Sequence, residues 1–106
     1  PDGKQDMAKF AETLLEIAKD IPNDIDWILR VDGHTDKQPI RTARFPSNWE
    51  LSSARALSVV RFLASQGIPE SRLIAAGHSQ FAPRDEGETK EAFQRNRRVE
   101  VRMMTR

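Results

Sequence analysis

An acidic and a basic side chain, Asp36 and Arg55, are the residues whose types and spacing best suit binding chemistry. Asp36 follows an apolar, strand-like run, and Arg55 lies nineteen residues later in the first turns of a helix-like run. A carboxylate attracts ammonium groups, whereas a guanidinium holds a carboxylate through two parallel hydrogen bonds. A neighbouring pair would therefore complement a zwitterion such as the head of an amino acid. The alternative is a plain Asp36–Arg55 salt bridge, which the spacing alone favours.

Asp32, His34 and Asp36 together have the residue types of a metal site. Alternation along a strand could place their side chains on one side. Because there is one histidine and no further ligand nearby, we favour the alternative in which Asp36 begins a turn and His34 packs locally, and we expect no metal or cofactor. A metal-dependent hydrolase using these three residues is the alternative function. We expect no catalytic residues, because Gly77–Phe81 lacks the final glycine of a nucleophile elbow.

The C-terminal segment is rich in arginine, which could contact phosphates. Its arginines are Arg95, Arg97, Arg98, Arg102 and Arg106. The segment has no interleaved aromatic residues, and the whole chain carries a formal net charge of only +1. We therefore favour a strand with a solvated face whose arginines pair with acidic residues, and we expect no nucleic-acid partner.

The composition is that of one small globular domain, which we assign to residues 1–106. The absence of cysteine excludes disulfides, cysteine-ligated zinc and thiol catalysis. No apolar run is long enough to span a bilayer. Because the chain begins with proline, we expect it to be a piece of a longer protein whose membrane anchor lies elsewhere.

Hydrophobic periodicity predicts three helices and three strands in the order α-β-α-β-α-β. The predicted elements are a helix at 4–21, a strand at 26–32, a helix at 48–66, a strand at 72–77, a helix at 89–95 and a strand at 97–104. This order indicates a two-layer α/β (α+β) sandwich with a mixed sheet of three to four strands against two long helices and a short one. The pattern places Phe10 and Ile17 on the buried face of the first helix and Trp49 in the core stripe of the second. It also predicts that 72–77 is a buried strand.

Several motifs, taken in order, resemble the OmpA-like peptidoglycan-binding domain. They are Val31–Asp36 (VDGHTD), Ser47–Ser52 (SNWELS) leading to Ala54–Ala56, Gly67-Ile68 with Arg72-Leu73 and Gly77, and Asn96–Glu100 (NRRVE). The longer loop containing Pro39-Ile40, together with Phe45–Ser52, is most similar to the MotB-like members found in flagellar stators. The resemblance extends from about residue 26 to the C-terminus.

The resemblance implies a non-enzymatic module that binds peptidoglycan through the diaminopimelate of the stem peptide. Asp36 would bind the ammonium group of this residue, and Arg55 its carboxylate. Further positions that match the binding pocket are Thr35, Asn48, Leu51 and Arg97. The parent protein would be membrane-associated and the domain periplasmic. Because the family's first strand is missing here, the exposed sheet edge could pair in a homodimer.

Overall fold

A computed structural model describes the backbone of residues 2–106 and the side chains from residue 6 onward. The helices are α1 (Asp2–Lys19), α2 (Asn48–Ser65) and α3 (Lys90–Asn96), and the strands are β1 (Trp27–Gly33), β2 (Leu73–Gly77) and β3 (Val99–Thr105). A single 3₁₀ turn, Glu70–Arg72, precedes β2. Among the described residues, no helix is long and apolar enough to cross a membrane.

The three strands form one mixed sheet in the order β2-β1-β3. Strand β1 runs parallel to β2 and antiparallel to β3. Helix α2 lies in the connection between β1 and β2. The predicted α+β architecture, with two long helices and a short one against a mixed sheet, is therefore confirmed. Strand β1 is buried along most of its length because it lies between the other two strands.

The core lies between the sheet and the two long helices. Leu29 and Val31 of β1 are fully buried in this core. Alternation along the strand directs both side chains to the same face. The helices contribute Ala11, Leu14, Ala56 and Leu63, and Ile68 follows α2. These side chains fix the distance and angle at which α2 crosses the sheet, and this crossing determines the geometry of the site described below.

Local sequence signals account for the limits of the helices. The Ser47 hydroxyl accepts a hydrogen bond from the backbone N–H of Trp49 and donates one to Glu50, which closes the N-terminal turn of α2. Gly67, with φ of 110°, follows the other end of α2 in a conformation that favours glycine. The Thr89 hydroxyl caps α3 by accepting a hydrogen bond from the backbone N–H of Ala92.

Four of the predicted core assignments are wrong. Trp49 is 51% exposed and lies near Phe81, because the face of α2 that packs on the sheet carries smaller residues there. Phe10 and Ile17 are also exposed, since the buried face of α1 is centred on Ala11 and Leu14. Strand 73–77 is not buried, because it forms an edge of the sheet and has only one neighbouring strand.

Candidate functional site

The candidate site lies where β1 and β2 end, beside the first turns of α2. Beyond the last residues of β1 and β2, backbone hydrogen bonds continue between the two segments that follow these strands. His78 N–H donates to Gly33 O at 3.0 Å, and Thr35 N–H donates to Ser79 O at 3.0 Å. On the other side, His34 N–H donates to Arg98 O at 2.9 Å. The segment that leads to Asp36 is therefore held from both sides.

Helix α2 reaches this segment because two glycines leave room for it. Gly33 and Gly77 are partners in the parallel ladder. A Cβ added at Gly33 would lie 2.1 Å from the carbonyl oxygen of Ser52, and one added at Gly77 would lie 2.2 Å from Ser53 Oγ. Both distances are far below van der Waals contact. Because neither glycine has a side chain, α2 can lie directly on the strand ends.

A buried serine on α2 fixes the second loop of the site. Ser52 has no exposed surface, and its hydroxyl accepts a hydrogen bond from Ser79 N–H at 2.9 Å. Ser79 has a φ of 54°, which is uncommon for a residue other than glycine. Ser79 donates to Ser52 and accepts from Thr35, and these two hydrogen bonds compensate for this conformation and join α2, the 78–81 turn and the Asp36 segment.

These elements enclose a cavity of about 250 Å³. It is lined by Thr35, Asp36, Gln38, Pro39, Ile40, Asn48, Leu51, Arg55 and Arg97. All six of the site residues expected from the sequence therefore lie around one space. Gln38 was not expected, although the neighbouring Pro39-Ile40 had contributed to the resemblance.

The Asp36 side chain is only 8% exposed, and its carboxylate has two partners. Its Oδ1 accepts the backbone N–H of Gln38 at 2.9 Å, and its Oδ2 accepts Arg97 Nη1 at 2.6 Å. The basic partner of Asp36 is thus Arg97, sixty-one residues further along the chain, and a plain Asp36–Arg55 salt bridge is wrong. A carboxylate has about four acceptor positions, so two remain for a further donor.

Arg55 lies on the same cavity and is half-buried. Among residues 6–106, no carboxylate lies within ion-pair distance of its guanidinium, and no group there forms a hydrogen bond with it. Five donors on a planar guanidinium are suited to a carboxylate from outside the protein. The cavity therefore contains a partly satisfied acid and a base that has no partner among residues 6–106.

Asn48 positions the loops around the cavity. Its side-chain N–H group donates to Gln80 Oε1 at 3.0 Å and to Gln38 O at 3.1 Å. Since Asn48 is buried, these bonds tie the first turn of α2 to both loops. The Thr35 hydroxyl donates to Asp36 O at 2.9 Å, whereas Leu51 supplies apolar lining.

Asp32 and His34 belong to a different cluster. Asp32 binds Arg30 Nε and His78 Nε2 at 2.9 and 2.7 Å, and the rings of His34 and His78 stack with centroids 4.5 Å apart. Asp32 and His34 thus share His78 as a neighbour, whereas the Asp36 carboxylate has different partners. Within the described residues, no group of three His, Cys, Asp or Glu side chains is arranged to hold a metal. The geometry favours the local packing of His34 over the metal-site alternative.

Charge and burial shift the pKa values in this second cluster. Burial lowers the pKa of His34, and the neighbouring Arg98 guanidinium lowers it further. Burial raises the pKa of Asp32, but hydrogen bonds from His78 and Arg30 outweigh it, so that the net pKa is lowered. His34 Nδ1 is also buried without a hydrogen-bond partner among the described atoms. The cluster is therefore a partly buried polar group at the ends of β1 and β2.

The C-terminal arginines pair with acidic side chains. The pairs are Arg95–Asp85, Arg97–Asp36, Arg98–Glu100, Arg102–Glu100 and Arg106–Asp26. This arrangement agrees with the interpretation of the segment as a strand with paired arginines. Arg97 alone among these arginines lines the cavity, so a single member of the run contributes to the site.

Comparison with known proteins places this geometry in a family. The model of the OmpA family matches residues 1–97. The chain belongs to the OmpA family. It is 43% identical over 104 residues to the uncharacterized protein YtxE of Bacillus subtilis, covering 93% of this chain and 41% of that protein. It is 35% identical over 77 residues to motility protein B of the same organism, covering 72% and 30%. The chain thus spans less than half the length of either relative.

Solved structures show the same fold. The cell wall anchor of the T6SS from Pseudomonas aeruginosa has a TM-score of 0.81 and 31% identity, over 99% of this chain and 67% of that one. The periplasmic domain of Helicobacter pylori MotB (residues 78–256) has a TM-score of 0.78 and 29% identity, over 95% and 63%. The resemblance inferred from the motifs is confirmed, and the domain is MotB-like.

Proposed function

We propose that this domain is a non-catalytic module that binds peptidoglycan by holding the zwitterionic end of diaminopimelate between Asp36 and Arg55. The observation that carries the proposal is that both side chains line one cavity while Arg55 has no acidic partner among the described residues. Diaminopimelate in a stem peptide has a free ammonium and a free carboxylate on one carbon. Two side chains of opposite charge across a small cavity complement this group.

Arg97 has a supporting role in this scheme. It holds one oxygen of Asp36 and compensates for the burial of the carboxylate. The ligand's ammonium would then occupy the remaining acceptor positions of Asp36, and its carboxylate would bind the Arg55 guanidinium. Hydrogen bonds to charged groups contribute about 1.5–3 kcal/mol each. The affinity of a single site would be modest, and repeated stem peptides in the wall would add avidity.

The proposal extends to the parent protein. One structural relative is described as a cell wall anchor and another as a periplasmic domain. By analogy, this domain would lie in the periplasm and link a larger, membrane-associated protein to the wall. A flagellar-stator role is the narrower form of this proposal, supported by the similarity to motility protein B. The hydrolase alternative has no supporting observation.

The test is binding of purified sacculi and of free meso-diaminopimelate by Asp36→Asn and Arg55→Gln. Both variants should lose the pull-down and reduce ligand affinity at least tenfold while melting close to the wild type. Arg61→Gln, an exposed arginine further along α2, is the matched control and should bind normally. A ligand whose free carboxylate is amidated should bind wild type weakly and lose little further affinity in Arg55→Gln. Normal binding by Asp36→Asn and Arg55→Gln would refute the proposal.

A further inference from the structure

A second cleft continues from the candidate cavity. It has a volume of about 400 Å³ and is lined by Gln38, Glu88, Lys90, Phe93, Gln94 and Arg97. Gln38 and Arg97 line both spaces, so the two clefts share a border. A ligand held at Asp36 could therefore extend past these two side chains without leaving the protein surface.

The charge of this second cleft favours an anion. Its two basic side chains are Lys90 and Arg97, and its one acid, Glu88, is engaged by Lys37 Nζ at 3.2 Å. Among residues 6–106, no carboxylate lies within ion-pair distance of Lys90. Arg97 donates to Asp36 through Nη1 alone. The other N–H groups of its guanidinium have no hydrogen-bond partner among residues 6–106 and can donate to a ligand.

Another cleft, lined in part by Lys37, has the opposite character. It has a volume of about 350 Å³, and its lining includes the acids Asp85 and Glu86 with Lys37 as its one base. Asp85 is paired with Arg95, but Glu86 has no cationic partner among the described residues, so a carboxylate is less favoured here than in the Lys90 cleft. Of the two clefts, the Lys90 cleft is the one that shares lining residues with the candidate cavity and has a basic lining suited to an anionic ligand.

We propose that the Lys90 cleft binds a second carboxylate of the stem peptide, supplied by a residue directly joined to diaminopimelate. This proposal rests on the proposed function. Two sources have the right chemistry: the free carboxylate of the preceding γ-linked glutamate and the C-terminal carboxylate of a following alanine. Lys90 and Arg97 would bind the carboxylate, and the Phe93 ring would contact the aliphatic part of that residue. The domain would thereby distinguish a stem peptide from free diaminopimelate.

Isothermal titration with three synthetic probes tests this. The probes are meso-diaminopimelate, its C-terminal alanine dipeptide and its N-terminal γ-glutamyl dipeptide. At least one dipeptide should bind wild type about threefold to fivefold more tightly than the single residue, as expected for one exposed charge pair. Lys90→Gln should abolish this gain without changing the affinity for diaminopimelate, whereas Lys9→Gln, an exposed lysine on α1, should retain it. The dipeptide that shows the gain identifies the source of the carboxylate.

Two results overturn the inference while leaving the proposed function intact. One is that both dipeptides bind no more tightly than diaminopimelate, and the other is that Lys90→Gln retains the full gain. If wild type binds none of the three probes, or if Arg55→Gln binds diaminopimelate normally, the proposed function fails, and this inference fails with it. Lys90→Glu provides a second check, since it should make the favoured dipeptide bind more weakly than diaminopimelate.

Discussion

Replacement of Gly33 by alanine should damage both stability and ligand binding, because this position determines how closely α2 approaches the sheet. The added Cβ would lie 2.1 Å from Ser52 O, 3.0 Å from Ser52 C and 3.2 Å from Ala56 N. All three atoms belong to the α2 backbone, so no side-chain rotation relieves the clash. To reach even a 3.0 Å contact with the oxygen, the helix or the strand would have to move by about 0.9 Å.

The energetic cost follows from overpacking. Such insertions cost about 1–3 kcal/mol, and a contact made entirely with backbone belongs at the upper end of this range. For a domain of about this size, 1 kcal/mol corresponds to roughly 4–8 °C in melting temperature. We therefore expect Gly33→Ala to lower the melting temperature by roughly 10–20 °C.

The same displacement should weaken binding. Asn48, Leu51 and Arg55 all lie on α2, so a shift of the helix separates them from Asp36. Thermal unfolding followed by circular dichroism measures the first effect, and titration with meso-diaminopimelate well below the melting transition measures the second. Gly87→Ala is the matched control, because its Cβ would meet the Asp85 side chain at 3.1 Å and no backbone atom within 4 Å. A Gly33→Ala protein that melts within a few degrees of wild type would refute this account of helix packing.

The other predictions concern pH and association. Because burial lowers the pKa of His34, the folded state resists its protonation, so its contribution to stability is present above about pH 6.5 and is lost as the pH falls towards the lower folded-state pKa. His34→Phe, which keeps a ring for stacking on His78, should reduce the fall in melting temperature between about pH 7.5 and about pH 5.5, and an unchanged fall would contradict this cause. In the described sheet, β2 and β3 are both edge strands with one neighbouring strand each. Because a free edge can pair with another chain, we predict concentration-dependent dimerisation. Light scattering coupled to size-exclusion chromatography should show the dimer, and a monomer at every concentration would count against it.

Local signals in the sequence determined the elements and their order. Alternating apolar residues marked β1, and capping residues such as Ser47 and Thr89 marked where α2 and α3 begin. These signals depend on neighbours within a few positions, so they can be found without knowledge of the fold. The motifs around Asp36 and Arg55 also predicted the family and the set of side chains that surround the cavity.

The tertiary structure decided which partners these side chains have. The pairing of Asp36 with Arg97 joins the segment after β1 to the residues before β3, and no local pattern distinguishes it from a pairing with Arg55. The exposure of Trp49 has a similar cause. The face of α2 that packs beside Gly33 and Gly77 carries the small and polar Ser52, so hydrophobicity alone assigned the wrong side chain to the core. Contacts between distant segments depend on how closely the backbones approach, which the spacing of residues along the chain does not specify.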